Sequence, residues 1–158
     1  MRAGRLIDDA KSLAGLNVIT GLLRLAPERD PHPLWFQRAL ETLDALETER
    51  AGAALATFEL LSLGECGFPL DLSSCAATGS TENLIYVSPR SGRAVSAAAG
   101  EPWRDRLLRL PRFLVNSDVA PGEGDLADAF ALTGFFLGRD VFAPRGLAMP
   151  EGRKAFTG

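Results

Sequence analysis

CAATGSTENLIYVSPRSGRAVSAAAG, residues 75–100, reads as two short strands around a tight turn. Asn83 to Val87 is β-favouring at Ile85, Tyr86 and Val87, and Ser88 to Gly92 supplies the turn residues. A second short strand then runs into small residues. A cysteine at the head of such a hairpin suggests a zinc ribbon, which needs four ligands in two Cys-x-x-Cys knuckles. Counted from Cys75, the other positions are Thr78 on the first arm and Ser96 and Ala99 on the second. Only Cys75 is a competent ligand, so no metal and no other cofactor is expected. An isolated two-stranded hairpin is marginal in water. Without metal this one has to lean on something else, through Leu84, Tyr86 and Val95.

The support lies upstream. Residues 5–25 predict a helix, with Leu6, Ala10, Leu13 and Asn17 stepping by three and four before Leu22, Leu23 and Leu25 thicken the apolar side. Asp30-Pro31-His32-Pro33 breaks it, because each proline pushes the residue before it out of helical geometry. A second helix follows, with Phe36, Ala39, Leu40, Leu43 and Leu46 on one stripe. A third, about 51–66, carries Ala54, Leu55, Phe58 and Leu61, and Gly67 is its expected stop. Three helices on short links make a bundle.

Downstream, EPWRDRLLRLPRFLV predicts a short helix from Trp103 to Leu110, ended by Pro111. DLADAFALTGFFLGRDVF predicts a long late helix with Leu126, Phe130, Leu137 and Val141 along one side and Phe135 and Phe136 beside them. The fold expected is therefore mainly α: a helical bundle with a small β-hairpin resembling a metal-free zinc ribbon. A single domain over 1–158 divides into the bundle at 1–67, the ligand-poor hairpin at 68–100, and an arginine-rich segment with a closing helix at 101–158.

The bulk numbers fit one globular domain: 158 residues, 46% hydrophobic, 23% charged, formal charge -3. No apolar run reaches membrane-spanning length, and the start does not read as a signal peptide, so the expected location is the cytoplasm. Cys66 and Cys75 are too few for a disulfide framework. Cys66 reads as a small buried hydrophobe. Net charge does not draw this chain to nucleic acid, so any such contact must come from a local patch.

Catalysis finds little purchase. The one histidine, His32, stands between two prolines and reads as a solvated turn residue. No nucleophile motif accompanies it, and Gly79-Ser80-Thr81-Glu82 lacks the glycine spacing and lysine of a phosphate loop. No catalytic residue is assigned, and the chain is not expected to be an enzyme. The charge feature above background is Arg90, Arg93, Arg104, Arg106, Arg109 and Arg112, opposed over that span by Glu101 and Asp105 alone. Arginine forks suit phosphate, and the apolar neighbours Trp103, Leu107, Leu108 and Leu110 suit a stacked base or a peptide anchor. The competing reading is a solvated amphipathic face on a structural scaffold.

These residues carry a resemblance. FELLSLGECGFPLDLSSC, Phe58 to Cys75, resembles the central signature of the RecO family of recombination mediators. PERDPHPLWF resembles the loop between its first two C-terminal helices, GSTENLIYVSPRSGRAVS its hairpin, and LTGFFLGRDVFAPRGLAMPEGR its last helix and tail. The pieces run co-linearly over nearly the whole chain. The resemblance implies that Cys75, Thr78, Ser96 and Ala99 are the degenerate positions of a zinc module whose ligands are lost. It also implies that the family's N-terminal OB-fold is absent here, leaving the C-terminal domain with weak single-stranded DNA binding of its own. Function by resemblance is DNA repair and recombination: single-strand annealing and RecA loading through single-stranded DNA-binding protein, RecR and DNA, at the nucleoid. In the family the helical domain holds the acidic, Phe-terminated tail of single-stranded DNA-binding protein, and Phe58 and Leu61 lie on the helix expected to do so. The family often has arginine just before Phe-Glu-Leu, where this chain has Ala56-Thr57.

Overall fold

The computed structural model of the chain describes residues 3–27 and 31–157, with side chains from residue 9 onward. Its centre is the third helix. Helix α1 spans Ala3–Leu23, α2 Pro33–Ala45 and α3 Ala51–Glu65. Buried positions on α3 include Ala51, Leu55, Ala56, Phe58, Glu59, Ser62 and Leu63, which share one broad face, and half-buried Ala53, Ala54, Leu60 and Leu61 extend the apolar surface beyond it. The broad buried face places α3 at the core, and its other side stays partly open. It stops where expected: Gly67 takes φ 95°, and the Gly67 and Phe68 amides donate to the Gly64 and Leu63 carbonyls.

Two apolar stripes fall elsewhere than the sequence reading put them. On α2 the buried residues are Trp35, Ala39 and Thr42, followed by Leu46 just past its end, while Phe36 and Leu40 are 49% and 64% exposed. The larger aromatic takes the core, and its indole N–H is satisfied there by Ser62 Oγ at 2.9 Å. On α1 the buried face is Val18, Ile19 and Leu22, and Leu13 is exposed. This face is set by the tail. Gly152 lies against the Ala14 carbonyl, where any β-carbon would collide, and its amide donates to Asn17 Oδ1 at 2.7 Å.

Strands β1 (Leu84–Val87) and β2 (Ala94–Ser96) form the expected antiparallel hairpin, with Tyr86 opposite Val95 and Val87 opposite Ala94. Helix α4 is one turn, Ala97–Gly100, capped by the Ser96 hydroxyl. The helix expected at Trp103–Leu110 is replaced by a 3₁₀ segment, Glu101–Arg106, and a third strand, β3 (Leu108–Arg109). Leu107 turns extended, and β3 adds to β1 in the order β2-β1-β3, with Arg109 opposite Tyr86. Alternation then gives the sheet two faces. Val87, Ala94 and Leu108 belong to the main core, whereas Tyr86 and Val95 join Cys75 in a separate small cluster, with Leu84, Ile85, Ala99 and Leu107 packed on it. The sheet thus leans on the bundle through one face and carries its own centre on the other.

The late helix is α5, Asp125–Phe136, continued as a π-helical turn over Leu137–Phe142. Phe130, Phe136, Leu137 and Val141 are buried, and Phe135 stays 38% exposed. Helix α6, Lys154–Thr157, returns Phe156 to the core, stacked on Phe130. The fold is mainly α with one small antiparallel sheet, as the sequence implied.

Candidate functional site

The carboxyl-terminal half of α3 forms one wall of an open apolar trough. Leu60, Leu61 and Gly64 line it on that side, Pro69 to Ser73 on the second, and Leu114 and Val115 on the third, around a volume of about 490 Å³. The 69–73 wall is tied to the sheet. Asp71 N donates to Gly92 O, Ala94 N donates to Asp71 O, and Asp71 pairs with Arg93 in a parallel bridge. The Asp71 carboxylate accepts from the Ser73 hydroxyl and amide, which hold it below the usual carboxylate range, with a smaller pull from Arg93 at 3.9 Å. Opposite, Leu114 and Val115 are presented by a 3₁₀ turn that begins at the exposed Arg112.

Of the two residues expected to meet a peptide, only Leu61 borders this trough. Phe58 is 2% exposed and belongs to the core. Thr57 lies one helical turn before Leu60 and Leu61 and is exposed, while Ala56 is fully buried. A second hollow, of about 640 Å³, sits by the first turn of α3 and the loop before α5, and carries charge of both signs from Lys11, Glu47 and Glu49.

Of the four positions Cys75, Thr78, Ser96 and Ala99, hydrogen bonds link Cys75 to Ser96 and Ser96 to Ala99. Cys75 is buried, its sulfur accepts from Ser96 N at 3.2 Å, and Ser96 Oγ accepts from Ala99 N. Burial alone would raise the Cys75 thiol. The Thr78 hydroxyl, followed by the Ser96 amide and hydroxyl, overrides burial and brings the thiol down to about 6. The Ser96 amide is the donor that meets the Cys75 sulfur within hydrogen-bond distance. Among the described residues no three His, Cys, Asp or Glu side chains gather as a metal set.

The arginines divide into groups. Arg109 lies over the Tyr86 ring at 5.3 Å, and the Tyr86 hydroxyl reaches Glu101 Oε2 at 3.5 Å, while Glu101 Oε1 accepts from Arg104 at 2.8 Å. Arg109 and the Glu101–Arg106 segment thus share the Tyr86 side of the sheet, and Arg106 is exposed beside them. Arg90 sits on the hairpin turn, Arg93 beside Asp71, and Arg112 by the trough.

Other polar arrangements escaped the sequence reading. His32 is not a solvated turn residue: its ring is largely buried, bonded through Nδ1 to Glu65 at 2.7 Å and set edge-on to Trp35. Cys66 is half-buried, and that burial pushes its thiol up. Glu59 is fully buried and accepts from Thr133 at 2.6 Å and from Arg153 at 2.7 and 3.1 Å. Arg139 stacks on Phe135 and Phe136 and donates to the Pro89 carbonyl, pinning the hairpin turn. The bonds His32–Glu65, Glu59–Thr133, Glu59–Arg153 and Arg139–Pro89 join residues dozens of positions apart, so no local pattern in the sequence marks them. No helix among the described residues is long and apolar enough to cross a membrane.

Comparison with known proteins gives a consistent result. The sequence pattern of the family described as Recombination protein O C terminal matches residues 8–146. A DNA repair protein RecO from Rhodopseudomonas palustris (strain TIE-1) is 52% identical over 99% of this chain and 64% of its own length. Similar RecO proteins from Methylocella silvestris and Methylobacterium nodulans are 52% and 53% identical, over 99% and 98% of this chain and 64% and 65% of their own. The chain thus spans a little under two thirds of the curated relatives it matches. No solved structure matches.

Proposed function

The chain belongs to the RecO family of DNA repair proteins, as its C-terminal domain, and from this premise we propose that it is a recombination-mediator module that binds partners rather than transforming a substrate. Its task is to hold the acidic, Phe-terminated tail of single-stranded DNA-binding protein while its arginines contact single-stranded DNA. With RecR, it supports strand annealing and RecA loading. The observation that carries the tail reading is the trough beside α3. Leu60, Leu61, Leu114 and Val115 offer apolar walls to a phenyl ring. Arg112, at the head of the turn bearing Leu114 and Val115, is the cation assigned to the peptide's carboxylates. Asp71 opposes acidic ligands on the far wall, so affinity rests on the ring and on Arg112.

Fluorescence anisotropy of a labelled tail peptide tests this. Micromolar binding should disappear when the peptide lacks its final Phe, and should fall at least tenfold in Leu61→Glu. A folded chain that binds neither peptide would remove the tail reading.

The DNA reading predicts affinity that falls steeply with salt, with a slope flattened when Arg104, Arg106 and Arg109 become alanine. A scaffold reading draws on the intramolecular partners of Arg104 and Arg93, namely Glu101 and Asp71. Salt-independent behaviour, or no binding at low ionic strength, would favour it.

A further inference from the structure

The chain has two tryptophans, and the fold treats them oppositely. Trp35 is fully buried, whereas Trp103 is 57% exposed. Trp103 lies on the Glu101–Arg106 segment, every residue of which is exposed. That segment is nonetheless held in place. Gly100, just before it, fits against Tyr86 so closely that a β-carbon would collide with the ring. The Ser96 hydroxyl caps the preceding turn, and Pro102 occupies the first turn of the 3₁₀ segment. The result is an exposed shelf bearing a large indole, with Arg104 and Arg106 beside it and Arg109 over the neighbouring Tyr86.

We propose that Trp103 is a stacking platform for an unpaired nucleobase, with Arg104, Arg106 and Arg109 taking the flanking phosphates. This rests on the reading of these arginines as DNA contacts and adds what that reading lacks, a reason to prefer single strands. Three arguments support it. Arg104, Arg106 and Arg109 outnumber Glu101 and Asp105 around the indole, with Arg104 paired to Glu101, so the net local charge is positive and favours an anionic ligand. The indole stands on a shelf rather than in a cleft, and a peptide side chain needs a concave pocket while a flat base needs only a face. In duplex DNA the base faces are hidden in the stack, so Trp103 can engage only a single strand.

The buried Trp35 makes the test direct, because nucleobase contact can quench only Trp103. Intrinsic fluorescence of the full chain should fall on addition of an oligothymidylate at low salt and stay unchanged with a duplex of equal length. Trp103→Ala should weaken single-strand binding by about tenfold, within the range for one stacked base, and leave duplex binding alone. Trp103→Phe should restore most of the affinity while abolishing the signal. If DNA binds with the expected salt dependence but tryptophan emission does not change and Trp103→Ala binds single strands normally, the platform fails and the arginine contacts survive. Equal loss on single strands and duplex also overturns it. If no salt-dependent binding exists, both readings fall together.

Discussion

On the inner face of α3 a fully buried carboxylate pairs with a largely buried guanidinium. Around β1 a thiol, a phenol and a valine close a much smaller centre. Both regions put a polar group inside, but the consequences differ. Glu59 receives three hydrogen bonds from Thr133 and Arg153, and so ties α3, α5 and the tail into one unit. Cys75 receives its bonds from groups within the hairpin lobe, so its network holds that lobe shut without fastening it to the bundle. The attachment comes instead from Val87, Ala94 and Leu108 on the other sheet face and from Arg139 on the Pro89 carbonyl. Local stability follows the amount of apolar surface closed over a region, so the lobe should open before the bundle does.

The sharpest way to break that contrast is Arg153→Ala. It leaves the Glu59 carboxylate buried without its cation, which costs about 3–5 kcal/mol and should appear as a matching loss in urea unfolding. A loss below ~1 kcal/mol would mean that the tail is not part of the central unit. Next comes Tyr86→Ala, which removes most of the small cluster at a cost of about 3 kcal/mol. Hydrogen exchange should show the loss in the amides of 84–87 and 94–96, with α3 amides still protected. Equal loss in α3 would make the two regions one cooperative unit.

Cys75 sharpens the comparison through pH. The folded thiol titrates near 6, below its ordinary value. Between that pH and about 8.5 the unfolded state binds the extra proton, so stability rises with pH and is lost as pH falls through the folded value. The gain has an upper bound of ~3 kcal/mol, since only neutral donors face the sulfur. Cys75→Ala should flatten this rise, and thiolate ultraviolet absorbance should show the titration directly. The smallest effect is a gain. Thr57→Arg places a cation above the trough and should tighten an acidic tail peptide by about fivefold, roughly 1 kcal/mol for an exposed pair, without altering protection in the sheet.

The helices, the hairpin and its turn are legible in the sequence because period and turn chemistry are local signals. Which stripe of α2 turns inward is not, since Leu34, Trp35, Phe36 and Leu40 are all apolar and the choice depends on Ser62, a residue of another helix. Strand β3 is hidden for a similar reason. Leu108-Arg109 is two residues long and owes its strand geometry to the open edge of β1. For the site, FELLSLG marks the correct helix but not its outward face. Phe58 is the more conspicuous side chain and goes to the core, while Leu61 goes to the trough. The closeness of Cys75 to Ser96 follows from the hairpin, whose strands and turn are local signals. The hydrogen bond on the Cys75 sulfur was not legible, since it depends on the bend that brings Ser96 back to Cys75.

The measurement that bears most directly on the account is hydrogen exchange of the whole chain with and without the acidic, Phe-terminated peptide. Protection should increase over residues 60–73 and 112–116, and stay unchanged over the Tyr86 cluster and the Trp103 shelf. Peptide binding that instead protects residues 94–109 and leaves the trough as it was would contradict the assignment of the tail to α3.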